Sequence, residues 1–254
     1  HVPFLAPDKY FDLYPFDKIT YKTDRSNLWD FLPQSALSKR YEAFGFNFAK
    51  ENHALRKEYM QAYHACVSFI DAQLGLVMDS LKKQGLWEDT VIVFTSDHGY
   101  HLGDHFIWGK VTLFDIGAKV PFIVRAPGLT KSGTTSEAMV ELIDIYPTLA
   151  DLAGLKAPIH LQGSSLRPLL GHPERLGKKK YAYSVVTRGP KNLGYALRNQ
   201  NWRYGKWPDG EELYNLRSDP QEKNNLAQKD HLKQRIVEFR KILAEKQENL
   251  ENTK

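Results

Sequence analysis

An α/β fold follows from three features of this 254-residue chain. A long helical stripe ends in glycine and runs straight into a short β-branched strand. A second apolar strand follows after a polar loop. The last third of the chain then changes to strands followed by one helix, without alternation. The first two features belong to a sheet flanked by helices, and the third to a small antiparallel sheet covered by one helix. We place the boundary at residues 171 and 172: 1–171 is part of a larger α/β domain, and 172–254 is a small α+β subdomain.

The elements can be read in order. Residues 1–50 are rich in proline and aromatic residues with weak periodicity, as expected of an ordered, irregular segment wrapping other structure. Over 54–84, Leu55, Tyr59, Tyr63, Cys66, Ile70, Leu74, Val77 and Leu81 recur at spacings of three and four and form one apolar stripe. Gly85 stands where a helix C-terminal glycine belongs. Val91–Thr95 reads as a buried strand, and 96–119 as a polar, glycine-containing loop. Val120–Val124 is the next strand; Pro121 puts it at an end or an edge. Residues 138–153 read as helical, with Pro147 either kinking the helix or opening a second one, and Gly154 as the stop. Tyr181–Val186, Gly194–Tyr204 and the short Glu212–Leu216 read as strands. His231–Leu250 is an amphipathic helix with Leu232, Ile236, Phe239 and Leu243 on one face.

Composition narrows the function. The chain is 42% hydrophobic, enough for a sizeable core, and carries a formal charge of +5. Its basic residues are scattered apart from Lys178-Lys179-Lys180, a solvated loop, and no basic stripe is interleaved with aromatics. That excludes a nucleic-acid partner and suits an anionic substrate. There is no run long and apolar enough to span a membrane, and no Asn-x-Ser/Thr sequon. Cys66 is the only cysteine, expected as a buried, inert thiol.

The chemistry concentrates where the strand at 91–95 ends, in Asp97, His98 and Gly99. Ligands of open α/β sheets bind in the crevice at the carboxyl ends of the strands. A carboxylate and an imidazole there form a metal pair, or else a helix N-cap and a surface histidine. His98, His101 and His105 have spacings that would align them on a helix to hold zinc, but Gly99 and Gly103 interrupt it. Loop histidines, or histidines facing a substrate, fit better. Lys110 offers a cation able to neutralise an oxyanion. His1 precedes Val2-Pro3-Phe4; if the chain continues upstream, that turn aims an imidazole suited to proton transfer.

Five stretches in order carry a resemblance. They are Thr95–His105, Trp108-Gly109-Lys110, Val120–Ile123 with Ala126-Pro127-Gly128, Glu141–Leu149 with Ala153-Gly154-Leu155, and Glu212–Leu216 with Asp219-Pro220 and Asn225-Leu226. Together they resemble the C-terminal half of a type I sulfatase of the alkaline-phosphatase-like superfamily, most similar to the iduronate-2-sulfatase branch. The resemblance implies part of that superfamily's central sheet flanked by helices. It implies that Asp97 and His98 ligate a divalent ion, usually calcium, and that Lys110 contacts the sulfate. His1 would contact the sulfate and protonate the leaving oxygen, and His101 and His105 would line the substrate side. Imidazole is a poor match for calcium, and the chemistry alone points to zinc or manganese.

One departure matters. Sulfatases of this type use formylglycine made from cysteine in Cys-x-(Pro/Ala)-Ser-Arg, whereas Cys66 is followed by Val67-Ser68-Phe69. The paired aspartates that complete the metal site also have no counterpart. The expectation is a chain inactive alone, the second part of a longer or cleaved protein. The N-terminal half of the same protein would bring the formylglycine. The substrate would be a sulfated small molecule or glycan, such as a 2-O-sulfated uronic acid, and the compartment periplasmic or secreted rather than lysosomal. The alternatives are a phosphatase or phosphonate hydrolase of the same superfamily, and a non-catalytic module binding sulfated glycan.

Overall fold

Helix α1 (Asp8–Phe11) and the helix α2 (His53–Lys83) form the frame of one of two units, made of residues 1–26, 38–90 and 100–110. The computed structural model describes residues 2–21, 27–37, 42–43, 46–47, 52–189 and 192–251. Asn52 starts α2, its Oδ1 accepting from the Leu55 amide at 3.0 Å. Gly85 ends it at φ 72, with Leu86 N–H on the Leu81 carbonyl and Gly85 N–H on that of Lys82. The segment before α2 wraps it as expected: Tyr14 meets Ser68 at 2.6 Å, and Gln61 donates to the Tyr14 carbonyl at 2.7 Å. Phe4 sits among Tyr59, Tyr63 and Tyr100, with ring centroids at 4.9, 5.3 and 5.7 Å. Cys66 is half-buried near the Leu5 carbonyl, and burial pushes its thiol up.

The predicted stripe on α2 is only half used. Tyr59 is buried, but Ile70 and Val77, farther along, are 61% and 59% exposed. Among the described residues of this unit, none covers these two side chains. The same unit holds two tiny hairpins, β1 (Glu42–Ala43) with β2 (Phe46–Asn47), and, farther along the chain, the pair that includes His101.

Strand β3 (Ile92–Thr95) opens the second unit, made of residues 27–37, 91–99 and 111–254. Strands β4 (His101–Leu102) and β5 (Trp108–Gly109) form the hairpin of the first unit. The short helix α3 (Asp115–Ala118) and strand β6 (Phe122–Arg125) return to the second. β6 pairs with β3 antiparallel, Val93 opposite Val124. A parallel neighbour was the expectation for a strand-end crevice. No crossover helix longer than α3 joins the two strands, so the chain comes back antiparallel. Helix α4 (Ile145–Leu152) is shorter than the expected 138–153: Leu142–Asp144 is a 3-10 turn, and Met139 bridges Lys179 in extended conformation. Pro147 is the third residue of α4, where a missing N–H does not break the helix.

The rest of this unit is helix α5 (Arg167–Gly171), strands β7 (Ala182–Thr187), β8 (Leu193–Arg198), β9 (Trp202–Trp207) and β10 (Gly210–Asn215), and helix α6 (Lys233–Glu251). The sheet is an antiparallel meander in the order β10-β9-β8-β7. The expected single strand 194–204 is two, because Asn199 turns the chain, its Oδ1 accepting from the amides of Asn201 and Trp202. As predicted, one helix covers the sheet: Ile236, Phe239 and Leu243 of α6 pack on Leu197, Tyr204 and Leu213. The opposite face packs Ala196 and Trp207 on Ala36 and Leu113. Among the described residues no helix is long and apolar enough to cross a membrane.

Candidate metal and anion site

The strand β3 delivers Ser96, Asp97 and His98, and the backbone then turns at Gly99. Ser96 Oγ donates to the His98 carbonyl at 2.8 Å, and the His98 amide donates to Asp97 Oδ1 at 3.0 Å. Gly99 donates its N–H to the Gly117 carbonyl at 2.9 Å. A Cβ at position 99 would lie 1.9 Å from the Ile116 carbonyl oxygen, so only glycine lets the loop press against α3.

The protonation of His98 follows from its partner. Its Nδ1 lies 2.9 Å from the Gly99 carbonyl, and a carbonyl only accepts. Nδ1 therefore carries a hydrogen, which leaves Nε2 as the nitrogen that could ligate an ion. That Nε2 faces Asp97 Oδ2 at 3.3 Å. An imidazole nitrogen and a carboxylate oxygen so placed can share a proton or a metal ion. The spacing also matches two neighbouring ligands of one ion bound at about 2.0–2.6 Å. Asp97 is 83% exposed and His98 33%, so an ion has access. The donor set fits a divalent cation as part of a shell. Calcium takes six or more oxygens, and among the described residues no group of three or more His, Cys, Asp or Glu side chains could complete one. The three-histidine zinc arrangement is therefore absent among them.

His101 and His105 lie in the first unit with Lys110. His101 is fully buried at the start of the β4–β5 hairpin, its Nδ1 at 3.0 Å from the Asp104 carbonyl. His105 is half-buried, its ring 5.6 Å from that of His101. Lys110 is half-buried just after β5. Of the four non-glycine residues with positive φ among the described residues, three crowd this stretch: His105 (57°), Phe106 (56°) and Val111 (67°). Each costs about 1–3 kcal/mol, and such strain gathers at functional loops. His1 lies outside the described residues.

A profile of the sulfatase family matches residues 1–155. The chain belongs to the sulfatase family. A second profile, the C-terminal region of N-sulphoglucosamine sulphohydrolase, matches residues 103–249. A sulfatase of Formosa agariphila is 36% identical over 96% of this chain and 47% of its own length. Human iduronate 2-sulfatase is 29% identical over 89% of the chain and 56% of its own. This sulfatase chain thus spans about half the length of the curated relatives it matches. Among solved structures, an enzyme in complex with its substrate D-glucosamine-2-N,6-O-disulfate superposes with a TM-score of 0.74 at 30% identity, covering 80% of this chain and 44% of that one. A phosphonate monoester hydrolase from Silicibacter pomeroyi reaches 0.85 at 26% identity over 98% of this chain and 54% of its own. The α/β architecture expected from the sequence is that of these sulfatase-fold neighbours.

Proposed function

We propose that this chain is the C-terminal half of a sulfate-ester hydrolase acting on a sulfated carbohydrate. The observation that carries the reading is the approach of His98 Nε2 to the Asp97 carboxylate at 3.3 Å, with Nδ1 engaged by the Gly99 carbonyl. Asp97 and His98 hold calcium, which when bound offsets charge on the sulfate oxygens. Lys110 adds a fixed cation to the same oxyanion. His1 protonates the leaving oxygen. His101 and His105 line the substrate side. Residues 1–171 belong to the catalytic domain and 172–254 to a subdomain that supports it.

The nucleophile, a formylglycine, and the remaining metal ligands come from the N-terminal half of the same protein. Two bare apolar faces support this partner. Within the second unit, β3 and β6 have no fully buried residue, and Ile123 is 62% exposed. Within the first, α2 leaves Ile70 and Val77 uncovered. Relatives about twice as long as this chain have the polypeptide to cover such faces. A 2-O-sulfated uronic acid in a glycosaminoglycan is the substrate we favour, and a periplasmic or secreted compartment the location. The likeness to iduronate 2-sulfatase and to a 2-O glycosaminoglycan sulfatase among the structural neighbours supports the first choice, and the bacterial relatives support the second.

Sulfate release from sulfated disaccharides by the full-length protein tests the reading. Chelation should abolish release, and added calcium restore it. Lys110→Ala should lower turnover about a hundredfold or more, as loss of one oxyanion donor does. Release that survives chelation, or hydrolysis of phosphonate esters in place of sulfate esters, would overturn it.

A further inference from the structure

The fourth strained residue lies far along the chain from the site. Glu222 holds φ 53° and is 1% exposed. Its two carboxylate oxygens do different things. Oε1 accepts from Arg203 Nε in a tight ion pair, and Oε2 accepts from the Asp115 backbone N–H at 2.6 Å. Asp115 is the first residue of α3, and its own carboxylate takes Arg198 Nε at 3.3 Å and Nη2 at 3.2 Å. The start of α3 is therefore gripped twice, its backbone by Glu222 from the segment after β10 and its side chain by Arg198 of β8. The far end of the same short helix is the surface on which Gly99 lies, with the Gly117 carbonyl bonded to Gly99 N–H and the Ile116 carbonyl filling the space of an absent Cβ. Gly99 in turn orients His98 through its carbonyl.

Arg203 is itself held from its other side. Its Nη2 donates to Glu212 Oε2 at 2.7 Å, and Glu212 Oε1 accepts from Trp207 Nε1 at 2.8 Å. The guanidinium lies over the rings of Phe114 and Tyr214, at 4.9 and 4.7 Å. Glu212 and Glu222 thus share one buried arginine, but of the two carboxylates it is Glu222 that accepts from α3.

We propose that Glu222 is a positioning residue for the Asp97–His98 pair, fixing through α3 the seat on which Gly99 and the His98 ring rest. The proposal rests on the reading of that pair as a metal seat, and its test separates the two. In the full-length protein, divalent-cation affinity is measured by titration with calcium, and the His98 ring tautomer by nitrogen NMR without metal. Glu222→Ala should weaken calcium binding about 10–100-fold, the range seen when groups that orient metal ligands are removed, and should shift His98 away from the Nδ1–H tautomer. Glu222→Gln keeps an acceptor oxygen toward Asp115 and should stay within about threefold of the parent. Glu212→Ala disturbs the same arginine without touching α3, so it should lower the melting temperature yet leave calcium affinity and tautomer unchanged. If Glu222→Ala does not fold, Glu222→Asp, which retains the charge but withdraws it by one methylene, gives the same readouts. Parent-like affinity and tautomer in the Glu222 variants, or equal losses in Glu212→Ala, would overturn the proposal. A parent protein that binds no calcium would overturn the metal reading alone, while the tautomer still decides the positioning role.

Discussion

Two antiparallel sheets of the second unit use similar strands to opposite ends. The β7–β10 meander is covered on both faces, by Phe239 and its α6 neighbours on one side and by Leu113 and Ala36 on the other. It hides an ion cluster in which Glu212 and Glu222 share the buried Arg203. The β3–β6 pair is four residues long in each strand and leaves Phe94 and Ile123 exposed. Yet β3, not the meander, carries the Asp97–His98 pair. The well-packed sheet serves as an anchor, and the poorly covered one presents the chemistry. Burial costs a charged group its hydration, so charges inside the meander are held against one another and against nearby donors. Asp97, at the rim of the other sheet, stays accessible to an ion.

The contrast can be broken at its strongest point first. Arg203→Ala leaves two carboxylates buried without their cation, and stability should fall by about 3–5 kcal/mol in chemical denaturation. A loss under 1 kcal/mol would mean that the meander does not depend on its internal charges. Phe239→Ala empties the α6–sheet interface, where the ring stacks on Tyr204 at 5.3 Å, and should cost about 3 kcal/mol or more. Glu211 sharpens the picture through pH. Hydrogen bonds from Arg240, and then from Tyr204, hold its carboxyl down at about 2 against the cost of burial. Its folded value lies below the unfolded one, so its stabilisation is present above about pH 4.3 and is lost as pH falls from there toward 2. Glu211→Gln should remove about 1–2 kcal/mol at neutral pH after solvent screening, and flatten the acid limb of a melting-temperature profile. The smallest effect belongs to the other sheet. Ile123→Thr in this chain alone should change stability by no more than about 0.5 kcal/mol, because the side chain has little cover to lose. A larger loss would show that the β3–β6 face is already packed.

Much of the meander was legible. The apolar strands and the α6 stripe sufficed to predict a sheet under one helix, because the residues on the α6-facing side meet their partners within the same stretch of chain. The break at Asn199 was missed although Arg198-Asn199-Gln200-Asn201 is a run of four polar residues with two asparagines, a turn signal between two apolar stretches. Gly85 and Gly99 were readable, since a required turn leaves glycine in the sequence. The antiparallel return of β6 was not, because strand direction depends on the path of a loop that has no periodicity. The uncovered length of α2 was also unreadable: an apolar stripe records that a face is meant for burial, not what buries it. Glu222 was passed over as part of a turn. The only local hint is a glutamate two residues after Pro220, and its partners lie 19 and 107 positions away.

The contact behind Gly99 also bears on mutational tolerance. A saturation library across 96–99 should recover no substitution at Gly99, since even a methyl group would collide with the Ile116 carbonyl at 1.9 Å. Gly85, at φ 72 but with open space around it, should accept asparagine. Any engineered retuning of the β3 loop must therefore change the side chains on either side and leave that single hydrogen in place.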